Sequence, residues 1–485
     1  MTDQTPLPLS ASSLDRKQRL KIPAQTLPKQ DPRQRALNWN EVSLPLDEDV
    51  ARLEALRCIQ CPAAPCTKAC PLHNDIPGAL ALAETGDFIG AANKFRETSL
   101  MPEMCGRLCP QEHLCEGDCV VGKKAIPVAI GRLEAFVADY QRQREGFPLP
   151  VPPSPTGRLA AVIGSGPAGL VVAEELAKQG HSVVVYEAWP LPGGILRYGI
   201  PSFKIDKAIV DEKIAFLEKL GVRFICDTTI GDSVTVDDLF AAGFEAIFMG
   251  HGAGQPVKMG IPGEDLTGIH QATEFLVRCN LPRQQLPPSM REPIEVGKRV
   301  VVVGGGDTAM DCVRTALRMG APQVNCVYRR TEAEMPGRRE EKRNAREEGI
   351  QFTYLTAPVG FTQHDDGRVR SVICQRMKLG EPDASGRPRP VPIPGSEFEI
   401  EADTVVLALG YRADKLLETA TPGLDADKKG LLVIDPETGR TSRPGIFAGG
   451  DNVRGPDLVV DAVADAKRAA AAMDEYLRRK RLGEA

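Results

Sequence analysis

Two glycine-rich turns, Gly164-x-Gly166-x-x-Gly169 and Gly304-x-Gly306-x-x-Ala309, each stand between an apolar strand-like run and a helix-like run. A cysteine-dense stretch of helical character precedes both. These observations predict an α/β chain. An N-terminal α-helical iron–sulfur domain is followed by two Rossmann-like nucleotide-binding domains, the second inserted in the first.

At 485 residues, with 42% apolar and 26% charged side chains, the chain has the make-up of an ordinary globular protein of two or three domains. A formal net charge of −5 gives no reason to expect nucleic acid or an anionic membrane as partner. No run of apolar residues approaches the length of a membrane span. The opening MTDQTPLPLSASS has neither the basic nor the apolar region of a secretory signal. Dense thiols without such a signal point to metal ligation in a reducing compartment, so a cytoplasmic location is expected.

Residues 1–45, rich in Pro, Gln and charge, read as an N-terminal arm. Residues 46–145 read as a helical domain, as in IPGALALAETGDFIGAANKF and AIGRLEAFVADYQRQ, with cysteines in the breaks. Residues 146–157, GFPLPVPPSPTG, form a linker that interrupts helix and strand alike. In 158–295, LAAVIG leads through glycines into LVVAEELAKQG and then HSVVVYE, a β-α-β unit. Residues 296–402 repeat that order as KRVVVVGGG, TAMDCVRTALRMG and VNCVYRR, with a hairpin excursion between Phe361 and Glu401. Residues 403–485, containing TVVLALGYRAD and GIFAGGD, return to the first nucleotide domain.

Eight of the thirteen cysteines lie as Cys58-x2-Cys61-x4-Cys66-x3-Cys70-Pro71 and Cys105-x3-Cys109-x5-Cys115-x3-Cys119. Eight thiolates are enough for two [4Fe–4S] cubanes. Short spacings on turn-rich backbone let sulfurs converge while amides point at them. In two-cluster ferredoxins the cysteine before proline serves the other cube. The expected partition is therefore Cys58, Cys61, Cys66 and Cys119 against Cys70, Cys105, Cys109 and Cys115. Structural zinc also takes four-cysteine sites, but usually as paired C-x2-C knuckles, and one such pair occurs here. His73 and His113 read as surface or supporting residues, and the five scattered cysteines as small buried hydrophobes.

In the first fingerprint Gly164 permits the tight turn, Gly166 admits a pyrophosphate, and Gly169 lets helix pack on strand. The helix start supplies amides and partial positive charge. Glu187 closes the next strand, where a carboxylate can accept from ribose hydroxyls. FAD is favoured by the remote Gly445-Ile-Phe-Ala-Gly-Gly450-Asp451, a strand and turn placing Asp451 at a ribityl chain. Gly193-Gly194 is expected to approach the cofactor. In the second fingerprint, Gly304, Gly306 and Ala309 repeat the logic, but the following strand ends in Arg329-Arg330 instead of an acid. Two arginines suit a 2′-phosphate, so NADPH is expected. Asp307 is expected to cap the helix, and the arginines around Arg338 to form a solvated face. Hydride transfer rests on positioning and exclusion of water, so no catalytic residue is nominated. Thiol–disulfide reduction would need a redox cysteine pair near the flavin, which the sequence does not offer.

The series CxxCxxxxCxxxCP, CGRLCPQEHLCEGDC, VIGSGPAGL, VVVGGGDTAMDC, YRRTEAEMP and GIFAGGD, from about Asn38 onwards, resembles the small (beta) subunits of NADPH-dependent glutamate synthase. It is also similar to the N-terminal half of dihydropyrimidine dehydrogenase and to electron-bifurcating ferredoxin:NADP oxidoreductases. The resemblance implies FAD at Gly164, Gly166, Gly169, Glu187 and Asp451, and NADPH at Gly304, Gly306, Ala309, Arg329 and Arg330. It further implies a larger partner subunit carrying FMN, a [3Fe–4S] cluster and the glutaminase and synthase sites. The same relay serving ferredoxin, a bifurcating partner or a pyrimidine-reducing partner is the alternative.

Overall fold

The computed structural model describes residues 14–151, 154–383 and 386–482. The opening MTDQTPLPLSASS, and with it the first part of the expected arm, lies outside the described residues, as do two residues of the linker. Contacts divide the chain into two compact units. One takes the chain up to Lys29, Ser43–Pro150 and Leu458–Ala464; the other takes Gln30–Val42, Val151–Asp457 and the chain from Asp465.

The first unit is helical: Glu48–Leu56, Ile76–Thr85, Phe88–Arg96, Pro102–Leu108 and Ile130–Glu145 are its longer helices. Aspartates start three of them. Asp47 accepts from the Asp49 amide, Asp75 from Gly78 and Asp87 from Gly90, each satisfying an amide the helix leaves open. Phe88, Phe95, Leu80 and Leu133 fill the core at 2% exposure or less, and Phe88 meets Phe136 and Tyr140 edge-on at 5.0 Å. The stretch read as an arm is packed instead. Arg19, in the first unit, pairs with Glu84 and donates to the Cys58 carbonyl at 3.0 Å; Gln30–Val42 belong to the second unit. Composition suggested an arm because the partners of these residues lie far away in sequence.

The second unit holds, among the described residues, two five-stranded parallel sheets. The first comprises β1 (Leu159–Ile163), β2 (Ser182–Tyr186), β3 (Arg223–Ile225), β4 (Ala246–Met249) and β15 (Ile446–Ala448), in the order β15-β4-β1-β2-β3. A short antiparallel pair joins β5 (Gln255–Pro256) to β14 (Tyr411–Arg412). The second sheet contains β6 (Ile269–Gln271), β7 (Arg299–Val303), β8 (Gln323–Val327), β9 (Gln351–Thr353) and β13 (Thr404–Leu407), in the order β6-β13-β7-β8-β9. β15 joins the first sheet only after the second is complete, so one fold is inserted in the other, but the bounds differ from those read in the sequence: β6, within 158–295, and β13, within 403–485, both pair into the second sheet. The excursion is a three-stranded antiparallel sheet of β10 (Thr356–Gln363), β11 (Val369–Pro382) and β12 (Pro388–Glu401). Val300–Val303 are all buried, as a parallel strand covered on both faces requires. No helix among the described residues is long and apolar enough to cross a membrane.

Candidate functional site

The two glycine turns are built alike. β4 follows β3 in sequence but lies beside β1, and β13 likewise lies beside β7. Each sheet therefore has a switch point at the carboxyl end of its central strand, where open α/β sheets bind ligands. Gly164 has φ +94°, and a Cβ there would lie 2.5 Å from the Gly250 carbonyl oxygen at the end of β4. Gly304 has φ +150°, and its Cβ would lie 2.3 Å from the Ala408 oxygen beyond β13. A Cβ on Gly169 would meet the Gly164 oxygen at 1.9 Å, and Ala309, in the helix Asp307–Arg318, is fully buried. Gly166 and Gly306 differ: nothing lies within 4 Å of their absent Cβ atoms. These two glycines leave open space where the helices Pro167–Lys178 and Asp307–Arg318 begin. The free amides of those first turns are suited to phosphate.

Around the first turn, Glu187 is buried and accepts from the Ser165 amide at 3.0 Å, from the Ser165 hydroxyl, and from the Trp189 amide at 3.0 Å. Ser165 Oγ also accepts from the Gly193 amide at 2.9 Å. Gly194, at φ +50°, passes against Gly166, whose Cα is 2.7 Å from the Gly194 Cβ position. Gly193-Gly194 thus closes on the glycine turn itself. At the other motif, Gly450 donates to Asp465 at 3.3 Å, and burial raises the Asp451 carboxyl to about 6. Asn452 donates to the Met249 carbonyl at 2.8 Å, while its Oδ1 is buried without a hydrogen-bond partner. Burial lowers neighbouring His251 to about 4, so its ring is neutral at pH 7. The open space at Gly166 and the orphan Asn452 Oδ1 fit a polar cofactor.

Asp451 yields a pH prediction. Its folded value lies above its ordinary 3.8, so between the two the native state binds more protons and stability rises as pH falls. Above pH 6 the buried charge costs stability. Asp451→Asn apoprotein is therefore expected to melt higher than wild type near neutral pH, with the gap closing towards pH 4, as thermal melts across that range will show.

At the second turn the paired arginines part company. Arg329 is exposed. Arg330, 2% exposed, pairs with Asp383 at 2.6 Å and donates to the Pro388 carbonyl at 2.7 Å, both flanking the turn between β11 and β12. The helix cap is Gly306, not Asp307. Asp307 lies one residue inside and accepts from the Arg338 amide at 2.9 Å, while the Gly337 amide donates to the Gly305 carbonyl at 3.0 Å. Arg338 is buried beside Asp307 and Glu341 rather than on a solvated face.

None of the thirteen cysteines is joined in a disulfide. Among the described residues, no group of three or more His, Cys, Asp and Glu side chains is gathered as ligands of a metal ion. The eight clustered cysteines nevertheless sort electrostatically. Burial is the main cause that raises Cys58 and Cys66, with smaller contributions from Cys66, Cys119 and Cys61 to the first and from Cys119 and Cys61 to the second. Cys105 acts on Cys70 and Cys109, Cys115 on Cys109, and Cys70 on Cys115. The sets adjoin where Cys66 reaches Cys115. Amides point at the sulfurs: Gln60 at Cys58, Thr67 at Cys66, Asn74 and Leu72 at Cys70. Burial pushes Cys58 up to about 12 and Cys66 and Cys70 to about 11, so binding metal must displace protons. Donor type and number suit iron–sulfur clusters.

Sequence reasoning missed Glu134. It is buried on the helix Ile130–Glu145, its carboxyl is raised by burial and by Cys105, and its charge acts on Cys70, Cys109 and Cys115. The second set thus contains a carboxylate as well as four thiols. Ser165 and Asn452 were missed too; the first lies inside a quoted motif, and the second directly follows one.

Comparison with known proteins accords with this arrangement. Residues 35–146 match the family described as dihydropyrimidine dehydrogenase domain II, 4Fe-4S cluster, and residues 159–466 match pyridine nucleotide-disulphide oxidoreductase. The glutamate synthase [NADPH] small chain of Escherichia coli is 40% identical over 456 residues, covering 93% of this chain and 96% of that one. The NADP(+)-dependent formate dehydrogenase subunit beta of Moorella thermoacetica is 40% identical over 86% of this chain, which spans 60% of that longer protein. FprA of Mycobacterium tuberculosis, solved with NADPH, shares the fold at TM-score 0.57 and 23% identity, over 68% of this chain and 86% of its own. The chain therefore belongs to the family of the NADPH-dependent glutamate synthase small chains, oxidoreductases that join a 4Fe–4S domain to an FAD- and NADP-binding domain.

Proposed function

We propose that this chain is the electron-input subunit of a larger oxidoreductase, taking a hydride from NADPH and delivering single electrons to a partner. The partner is a glutamate synthase large (alpha) subunit bearing FMN and iron–sulfur, which makes glutamate from glutamine and 2-oxoglutarate. FAD supplies the change from two-electron to one-electron chemistry, and two [4Fe–4S] clusters the outward path.

The chain's own residues bind and orient. Gly166 and the helix after it would hold the FAD pyrophosphate, Glu187 the ribose hydroxyls, and Gly450 and Asp451 the ribityl chain. Gly306 and its helix receive the NADPH pyrophosphate, and Arg329 takes the 2′-phosphate; Arg330 supports it from the hairpin. Cys58, Cys61, Cys66 and Cys119 hold one cluster. Cys70, Cys105, Cys109 and Cys115 hold the other, with Glu134 alongside. The paired glycine turns carry this reading: two phosphate cradles occur in one unit, one fold inserted in the other. A second reading, in which the same relay serves ferredoxin or another acceptor, is favoured by the occurrence of a similar sequence within the longer formate dehydrogenase subunit.

Anaerobic titration with NADPH tests the relay. The flavin absorbance is expected to bleach and paramagnetic iron–sulfur signals to develop; a flavin that NADPH leaves oxidised would contradict it. Co-purification with a large amidotransferase-like chain, or with another acceptor, separates the two partners.

A further inference from the structure

The segment Gln30–Val42 touches both nucleotide folds. On the NADPH side, Arg35 is 1% exposed and pairs with Glu348 at 2.9 Å and Glu347 at 2.7 Å. Arg318 Nε donates to the Asn38 carbonyl at 2.9 Å. On the flavin side, the Val42 amide donates to the Phe203 carbonyl at 3.0 Å, and Glu41 accepts from the Asp206 amide at 2.8 Å. Trp39 lies 6.1 Å from the Phe203 ring.

Phe203 is the wedge of this junction. It belongs to the loop between the short helix Gly194–Tyr198 and the helix Lys207–Lys219, yet it carries the guanidinium groups of Arg314 and Arg318 at 4.4 and 4.1 Å from its ring centre. Both arginines project from the NADPH-side helix Asp307–Arg318. One residue on, the Lys204 ammonium pairs with Asp311 of that helix at 2.9 Å, their side chains 8% and 7% exposed. Glu348 gathers Arg35, Arg314 and Arg318 at once. Charges buried this deeply hold their geometry because separating any pair strands an ion.

Two folds joined by chain crossings can rotate against each other unless something fixes them. We propose that Gln30–Val42 is a clamp that sets the orientation of the NADPH fold on the flavin fold, making Arg35 and Trp39 positioning residues for hydride transfer. The clamp rests on the NADPH-to-flavin reading above. The contacts named above lie on Phe203, Asp206, Arg318, Glu347 and Glu348 rather than on the glycine turns, so its effect is expected on the rate of transfer rather than on binding.

The test is Arg35→Ala in the full chain, with anaerobic stopped-flow reduction of the flavin by NADPH. Glu348 keeps two arginines in this variant, so no buried carboxylate is stranded. The limiting rate is expected to fall on the order of 10- to 100-fold, with the NADPH dissociation constant changed by less than about threefold and flavin content retained. Trp39→Ala, at a half-buried position, is expected to act in the same direction and replaces Arg35→Ala if that variant loses flavin. Unchanged limiting rates, or weaker NADPH binding alone, would overturn the clamp. Failure of NADPH to reduce the wild-type flavin would overturn the relay reading instead.

Discussion

Replacing Cys66 by serine is expected to stop electron delivery to any external acceptor while NADPH still reduces the flavin. Cys66 is 6% exposed, receives the Thr67 amide, and is coupled to Cys61 and Cys119. A serine hydroxyl does not replace a thiolate as a soft iron ligand. The flavin fold has its own core in the other unit, in which Ile163, Ile247, Met249 and Ile446 are 4% exposed or less, so its nucleotide chemistry should survive. Acceptor reduction should drop by more than about 100-fold, with loss of the broad iron–sulfur absorbance and retention of flavin bleaching. Equal loss of both activities would place the cysteines in folding rather than transfer.

The second large effect concerns the choice of nicotinamide. Arg329→Ala should raise the KM for NADPH by about 10- to 100-fold, the scale of a lost charge-assisted hydrogen bond to phosphate. NADH, lacking that phosphate, should be nearly unaffected. Arg330→Ala should behave differently, because that side chain is already committed to Asp383 and the Pro388 carbonyl. Its removal should cost about 1–2 kcal/mol of stability and shift both nucleotides alike. Steady-state KM values for both nucleotides, with thermal melts, separate these outcomes. Equal changes for NADPH and NADH in Arg329→Ala would refute the phosphate contact.

Much of the architecture was legible because it depends on local backbone demands. Glycines at Gly164 and Gly304 announce turns that no side chain fits, and the apolar runs beside them announce buried parallel strands. The inserted order followed from GIFAGGD returning after the second fingerprint. Side-chain commitments were less legible. Arg329 and Arg330 are adjacent in sequence, and their partition depends on which side faces the distant Asp383. Asp307 resembles a cap, yet its partner is the Arg338 amide, brought there by a loop whose position the motif does not encode. The lead-in read as an arm because Arg35 meets its carboxylate 313 residues later. Glu134 sits on a helix whose polar pattern gives no hint that one carboxylate faces thiols.

On the proposed relay, electrons pass from the two nucleotide cradles to clusters held by the eight thiols. Counting iron, acid-labile sulfide and flavin in protein purified without oxygen tests it most directly. About eight iron atoms and one FAD per chain are expected. Zinc in place of iron, or a colourless protein without flavin, would contradict it.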